Sequence, residues 1–308
     1  MKLNVGTSGY FKVMKLDANG IKTFDSGWQR NLILDTGLAA MASAADGLRG
    51  LGSLLRVGTG NSAPDPTQTT LDNAIAINNV SAPDQGGTLN GFYRGGNFDY
   101  CRVIKRFTFG MGQVVGNVTE LGLTNTFSGT AVRTRALIKD AQGNPTSITV
   151  TSEEQLIVDY ETRLNFDCLT PLMSSVDFDG TPIGVSFAIG RVSTTANTLF
   201  SANSINVGEA TGINPTTENL TSTNVTAILT GVTNARSVSI TSNVSSTANK
   251  RTVAISVSPS NGNGDIDYVV LIPFGDSHYF VFYFDTTITK TDQDVLEIDV
   301  EFEFTRTP

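Results

Sequence analysis

The stretch GNVTELGLTN, residues 116–125, puts a single carboxylate, Glu120, into a run that otherwise reads as a buried strand. Val118, Leu121 and Leu123 are apolar, and Gly122 interrupts them. A carboxylate so placed is a catalytic acid, a metal ligand or a structural anchor. Beside a glycine bulge, a half-buried Glu can accept hydrogen bonds from backbone N–H groups or pair with an arginine. Arg102 and Arg106 on the preceding stretch, and Arg133 and Arg135 on the following one, are the candidate partners.

Working outward, strand signals dominate. YCRVIKRFTF (100–109), TAVRTRALI (130–138) and ITVTSEEQLIVDYETRLNF (148–166) flank the opening stretch. Further on come VSFAIGRV (185–192), RTVAISVS (251–258), DYVVLIPF (267–274), HYFVFYFDT (278–286) and VLEIDVEFEF (295–304). An N-terminal hairpin is expected from strands at 9–16 and 21–28 around the turn Asp17–Gly20. One helix is predicted near 35–46, with Leu38, Met41, Ala42 and Ala45 at helical spacing, Asp35 as N-cap and Gly47 as stop. Loops are expected at 58–70 and 78–97, a connector at 171–182, and a Ser/Thr/Asn-rich segment of weak alternation at 193–250. The fold expected is all-β and mainly antiparallel, with two tandem β-sandwich-like domains. The first, 1–170, carries the packed helix; the second, 171–308, reads either as a duplicated sandwich or as a β domain that resembles the first by chance alternation. TSEEQLIVDYE from Thr151 aligns with TDQDVLEIDVE from Thr291, and GNVTELGL from Gly116 aligns with GDIDYVVL from Gly264.

Composition excludes more than it names. The chain has 308 residues, 16% of them charged, and a net charge of −8, so a phosphate-binding surface of clustered Lys and Arg is not expected. No apolar run reaches bilayer-spanning length, and the start MKLNVGTSGYFKV lacks the apolar core of a signal peptide. Synthesis in a cytoplasm, with Cys101 and Cys168 as free thiols, is the expectation; a disulfide between them is the alternative.

Candidate chemistry is sparse. Asp276, Ser277 and His278 are triad residue types, but neighbours on a strand point to opposite faces. Asp177 and Asp179 form a fragment of a calcium loop without its closing Glu and read as a β-turn. Glu153/Glu154 and Asp292/Asp294 read as solvated strand leaders. Gly58 and Gly60 follow a strand, but no G-x-G-x-x-G pattern opens a helix there. No catalytic, cofactor-binding or metal-ligating residue is expected.

Six stretches in order carry a resemblance. They are GWQRNLILDTGLAAMA (27–42), LLRVGTGNSAPDPTQTTLDNAIA (54–76), RVIKRFTF (102–109), GNVTELGLTN (116–125), TAVRTRALIKD (130–140) and SEEQLIVDYE (152–161). Together they resemble a module of tailed-bacteriophage virion proteins, found in tail-fibre bases, baseplate-proximal proteins and neck or collar proteins. The likeness covers about residues 20–165. It implies that Glu120, Gly122 and Trp28 are structural anchors with no catalysis attached. No collagen-like, coiled-coil or β-helical repeat follows residue 170, which favours a compact collar, neck or fibre-adaptor protein over a long fibre. The implied partners are other copies of the chain and neighbouring virion proteins of the neck or tail, with no cofactor, nucleic acid or membrane insertion, and the virion as its location. A rival reading is a peripheral carbohydrate-binding protein that recognises a host glycan through Phe92, Tyr93, Phe98 and Tyr100. A polysaccharide hydrolase is the third. HYFVFYFDTTI is apolar on both alternating faces, which places it in the middle of a sheet or under a neighbouring subunit.

Overall fold

The computed structural model describes residues 2–43, 49–82, 91–95, 98–167, 172–178, 181–191, 204–210, 232–239, 241–271 and 278–307. The chain begins with a long strand, β1 (Lys2–Leu16), followed by β2 (Lys22–Asp25), β3 (Gln29–Ile33) and the helix α1 (Asp35–Ser43). Then come β4 (Leu54–Gly58), β5 (Ala74–Ala82), β6 (Gly91–Gly95), β7 (Phe98–Phe109), β8 (Gly116–Val118), β9 (Glu120–Thr124), β10 (Thr134–Leu137), β11 (Ile148–Val150) and β12 (Gln155–Asp167). The class is all-β and mainly antiparallel, with one α-helix among the described residues.

Eight of these strands close on themselves in the order β1–β3–β10–β9–β4–β5–β7–β12 and back to β1. The sandwich-like N-terminal part is therefore a barrel, in which closure removes the sheet edges. Alternation along each ladder decides what fills it. Phe11 and Val13 face Tyr160 and Val158 across the β1–β12 pair, and Phe107 and Phe109 follow on β7. Leu55, Val57, Leu121 and Leu123 close the opposite wall, and all of these are buried. Each such side chain contributes about 1.5–3 kcal/mol by leaving water. The buried Tyr160 hydroxyl donates to Thr134 Oγ1 at 2.7 Å, and that oxygen also accepts the Leu123 N–H at 2.9 Å.

Beyond the barrel, residues 2–7 of β1 run parallel to the last strand, Leu296–Arg306, which pairs in turn with Lys250–Val257 and that with Thr241–Thr247. The sheet thus draws strands from both sides of residue 170. α1 contacts these three C-terminal strands, burying Leu38, Met41 and Ala42. Arg251 donates to the Ala42 carbonyl at 3.3 Å, a cation near the helix C-terminus. A separate six-stranded sheet runs Leu172–Phe178, Thr181–Arg191, His278–Lys290, Gly264–Leu271, Ser204–Ala210, Val232–Ser239. His278–Lys290 has a partner on each edge, and Phe282, Tyr283 and Phe284 are buried, so this two-faced apolar run is a central strand.

Several local expectations are corrected. The connector expected at 171–182 is a hairpin in which Phe178 pairs with Thr181. Half of the loop expected at 78–97 is paired backbone: β5 ladders with β4 and β7, and β6 with β7, because long neighbouring strands offer them partners. The tract KLNVGTS before Gly9 extends β1, its residues 2–7 paired with the last strand. The second strand of the hairpin, expected over 21–28, is the shorter β2, which ends at Asp25 ahead of Gly27, where φ is +65°. Residues 44–48, with Gly47, and residues 168–171, with Cys168, lie outside the described residues, as do Asp179, Asp276, Ser277 and most of 193–231.

The two aligned stretches share local geometry. Thr151 N–H donates to the Glu154 carboxylate at 2.9 Å, and Thr291 N–H donates to Asp294 at 2.7 Å, each just before a long strand. Gly116 and Gly264 open their strands with φ of +116° and +114°. Glu154 also pairs with Lys15 at 2.9 Å, so it is not the solvated leader expected.

Candidate functional site: a buried carboxylate–arginine clasp

With Leu121 and Leu123 turned inward, the two-residue period of β9 sends Glu120 and Gly122 to the outer face of the barrel. That face is covered. Residues 59–73 cross it as a strap: Val132 N–H donates to Thr69 O at 2.7 Å, and Asp35 N–H to Pro66 O at 2.9 Å. Leu71 packs with Leu34 and Val132 in a small apolar cluster beneath. Glu120 and Arg135 are both 0% exposed there.

Every acceptor position of the carboxylate is engaged. Oε1 accepts the N–H of Gly60 at 3.0 Å and of Asn73 at 2.9 Å. Oε2 accepts the Asp72 N–H at 3.2 Å and the Arg135 Nε at 3.0 Å, with Arg135 Nη2 at 2.9 Å. The same guanidinium reaches Asp72 Oδ2 at 2.7 Å and donates from Nη1 to Ser62 Oγ at 3.0 Å. Ser62 closes the circuit, its Oγ donating to Asp72 Oδ1 at 2.8 Å and its N–H to Oδ2 at 2.9 Å. Burial pushes the Asp72 carboxyl up, but the Ser62 hydrogen bonds and then Arg135 outweigh it and hold it below the usual carboxylate range. A buried charge is tolerable only when paired and hydrogen-bonded, and both conditions are met.

The glycines make room for this. A Cβ on Gly60 would lie 2.4 Å from Glu120 Oε1 and 2.3 Å from Asp72 Cβ, and one on Gly58 2.7 Å from the same Oε1. On Gly122 it would lie 2.2 Å from the Thr134 carbonyl oxygen. With both carboxylate oxygens occupied and no surface exposed, the arrangement ties strap to barrel wall.

Of the four arginines offered as partners, Arg135 is the one that meets Glu120. Arg133 turns to the Gly50 carbonyl. Arg106 forms a two-point pair with Asp159 at 2.6 and 2.8 Å, and Arg102 lies 3.4 Å from Glu161. Those two leave from β7 beside β12, where Arg106 sits directly opposite Asp159. Trp28 is not a core anchor: it is 46% exposed, with Lys12 Nζ 5.4 Å from its ring. The reason is local, since it falls between β2 and β3, outside the ladder. Tyr100 stacks on Arg163, whose guanidinium carbon is 4.3 Å from its ring and 4.4 Å from that of Tyr10. The side chains of Phe92, Tyr93, Phe98 and His278 lie outside the described residues. Sequence reasoning missed Gly58, Gly60, Ser62, Asp72 and Asn73 as members of the site. The two glycines had a signal in the V-G-T-G run, which fits no nucleotide motif; Ser62, Asp72 and Asn73 had none.

No protein-family model, curated protein or solved structure significantly matches this chain. Fold and site together define an antiparallel β-barrel protein whose outer strap is fastened by a buried carboxylate–arginine clasp.

Proposed function

We propose that this protein is a structural component of a tailed-bacteriophage virion, a neck/collar or tail-fibre-base adaptor that self-assembles without a cofactor. The observation that supports the reading is the meeting of the six resembling stretches in one barrel. The V-G-T-G loop, the Glu-Leu-Gly-Leu strand and the arginine return strand converge on Glu120 itself. A motif set that serves a single clasp is what a rigid assembly scaffold requires, because loops held on a stiff frame present reproducible contact surfaces. Thr241–Thr247, Leu172–Phe178 and Val232–Ser239 stand at the ends of their sheets among the described residues, and such edges invite pairing with further chains.

Light scattering on the purified protein and labelled-antibody imaging of purified phage particles test the reading together. A homo-oligomer in solution and label at the neck or fibre base are expected. A strict monomer that carries no label into particles would overturn it.

A further inference from the structure

Charge is unevenly spread over the outside of the barrel. With Phe11 and Val13 turned inward, Tyr10 and Lys12 of β1 face out. Lys12 sits opposite Asp159 of β12, and Asp159 opposite Arg106 of β7, in one outward row. The next rows set Glu161 beside Tyr10 and Arg163 beside Arg102, and Arg30 of β3 lies opposite Tyr10. The two carboxylates are sunk, Asp159 4% and Glu161 3% exposed. Lys12, Arg102, Arg106 and Arg163 lie over them, each with about a quarter of its side chain in solvent, and Arg30 is exposed. What this face presents is therefore cationic. Stacking of Arg163 between the Tyr10 and Tyr100 rings holds part of it rigid.

The last strand presents the opposite charge. It buries Leu296, Ile298 and Val300 and turns Glu297, Asp299, Glu301 and Glu303 outward. Lysines attend one half of this stripe: Lys250 lies 3.0 Å from Glu301, and Lys2 pairs with Glu303. The other half faces Ser256 and Ala254 across the ladder, so the exposed Glu297 and Asp299 rise above small side chains. Leu38 and Met41 join the same core as Ile298 and Val300, so α1 covers the apolar side and leaves the stripe open.

We infer that the cationic face docks a second copy of this chain, which offers its acidic stripe around Glu297 and Asp299. Copies of formal charge −8 repel on average, so association is left to orientations that match opposite patches. A like-on-like contact would set carboxylates against carboxylates or guanidinium groups against each other. Stripe against face avoids both, and the small side chains beside the stripe give the projecting Arg and Lys side chains room to reach the carboxylates. The contact gives a surface to the self-assembly proposed above and rests on that part of the reading, not on the virion.

Sedimentation velocity and light scattering on the full chain test it. Raising salt from about 0.05 to about 0.5 M should weaken self-association by about tenfold or more. Glu297→Lys/Asp299→Lys and Lys12→Glu/Arg30→Glu should each stay folded by thermal unfolding and associate at least about tenfold more weakly than the unaltered chain. Their equimolar mixture should regain association, because the native face of the first meets the native stripe of the second, and the two reversed patches meet each other. Glu297→Gln/Asp299→Asn, which only neutralises, should show a smaller loss in the same direction. A chain monomeric at every concentration would overturn the proposal. So would association indifferent to salt and to the stripe variants, or a mixture as weak as its components. An oligomer that ignores salt and charge reversal would leave self-assembly standing through another surface, whereas particles without label would remove the virion reading and leave this contact untouched.

Discussion

Glu120→Gln tests the clasp most directly, because it keeps the shape and removes the charge. The amide retains one oxygen. Its NH2 group must then face either the Gly60 and Asn73 N–H groups or the Asp72 N–H and the Arg135 guanidinium, so donors oppose donors in both orientations. At least two hydrogen bonds to a charged acceptor are lost, at about 1.5–3 kcal/mol each. Breaking one side of a buried ion pair costs about 3–5 kcal/mol, which sets the expected range. Arg135→Met should cost at least as much, about 3–5 kcal/mol, because it leaves the buried Glu120 carboxylate with no cation and only three backbone N–H groups to serve it. Urea unfolding at constant m-value reads both losses, and limited proteolysis shows whether residues 59–73 come free first. A midpoint shift for Glu120→Gln worth under about 0.5 kcal/mol, with the strap still protected, would refute the reasoning.

Gly122→Ala should destabilise by about 1–3 kcal/mol, since the new methyl would meet the Thr134 carbonyl oxygen at 2.2 Å between two paired strands. Gly129→Ala, at φ +72° with open space around it, should cost only about 1 kcal/mol; equal melting shifts would argue against the close approach. The Glu154 carboxyl is lowered from 4.5 to about 2, first by Lys15 and then by the Thr151 N–H. A depressed folded pKa contributes stability above the ordinary value and loses it as pH falls through the folded one. Urea midpoints should therefore drop between about pH 4.5 and 2, and Lys15→Met should make that drop smaller by Glu154's share; an unchanged pH profile would argue against the pair. A chain ending at residue 170 strips the last strand from residues 2–7 and uncovers Leu38 and Met41 of α1, so it should unfold at lower urea than the full chain and aggregate on refolding.

The class of fold was legible because strand alternation is a local property. Lys250–Val257 buries every second residue, and Leu296–Arg306 does so for most of its length; the sequence displays that period. Closure was not legible. It depends on β1 meeting β12, with Leu16 pairing Gln155 and Gly6 pairing Asn165, and nothing in either strand marks the other as its partner. The same holds for the parallel pairing of residues 2–7 with the last strand, which turned an unassigned tract into the longest strand described. Loops were over-read for a related reason: Asn-rich backbone at 78–79 pairs well once β4 supplies the ladder.

The site was half legible, and the missing half has a physical cause. Glu120 stood out as a lone carboxylate in an apolar run, and four arginines were within plausible reach. Choosing among them needed the face each occupies. Arg133 and Arg135 lie on the same outward period of one segment, but Arg135 is two residues from Leu137, which pairs with Glu120 across the β9–β10 ladder, whereas Arg133 lies beyond the ladder's end and reaches Gly50. Asp72 and Ser62 carried no signal, being ordinary polar residues in an ordinary loop. What makes them part of the site is that Glu120 captures three backbone N–H groups of that loop. The carboxylate determines where the loop lies, and the loop then brings Asp72 to the arginine.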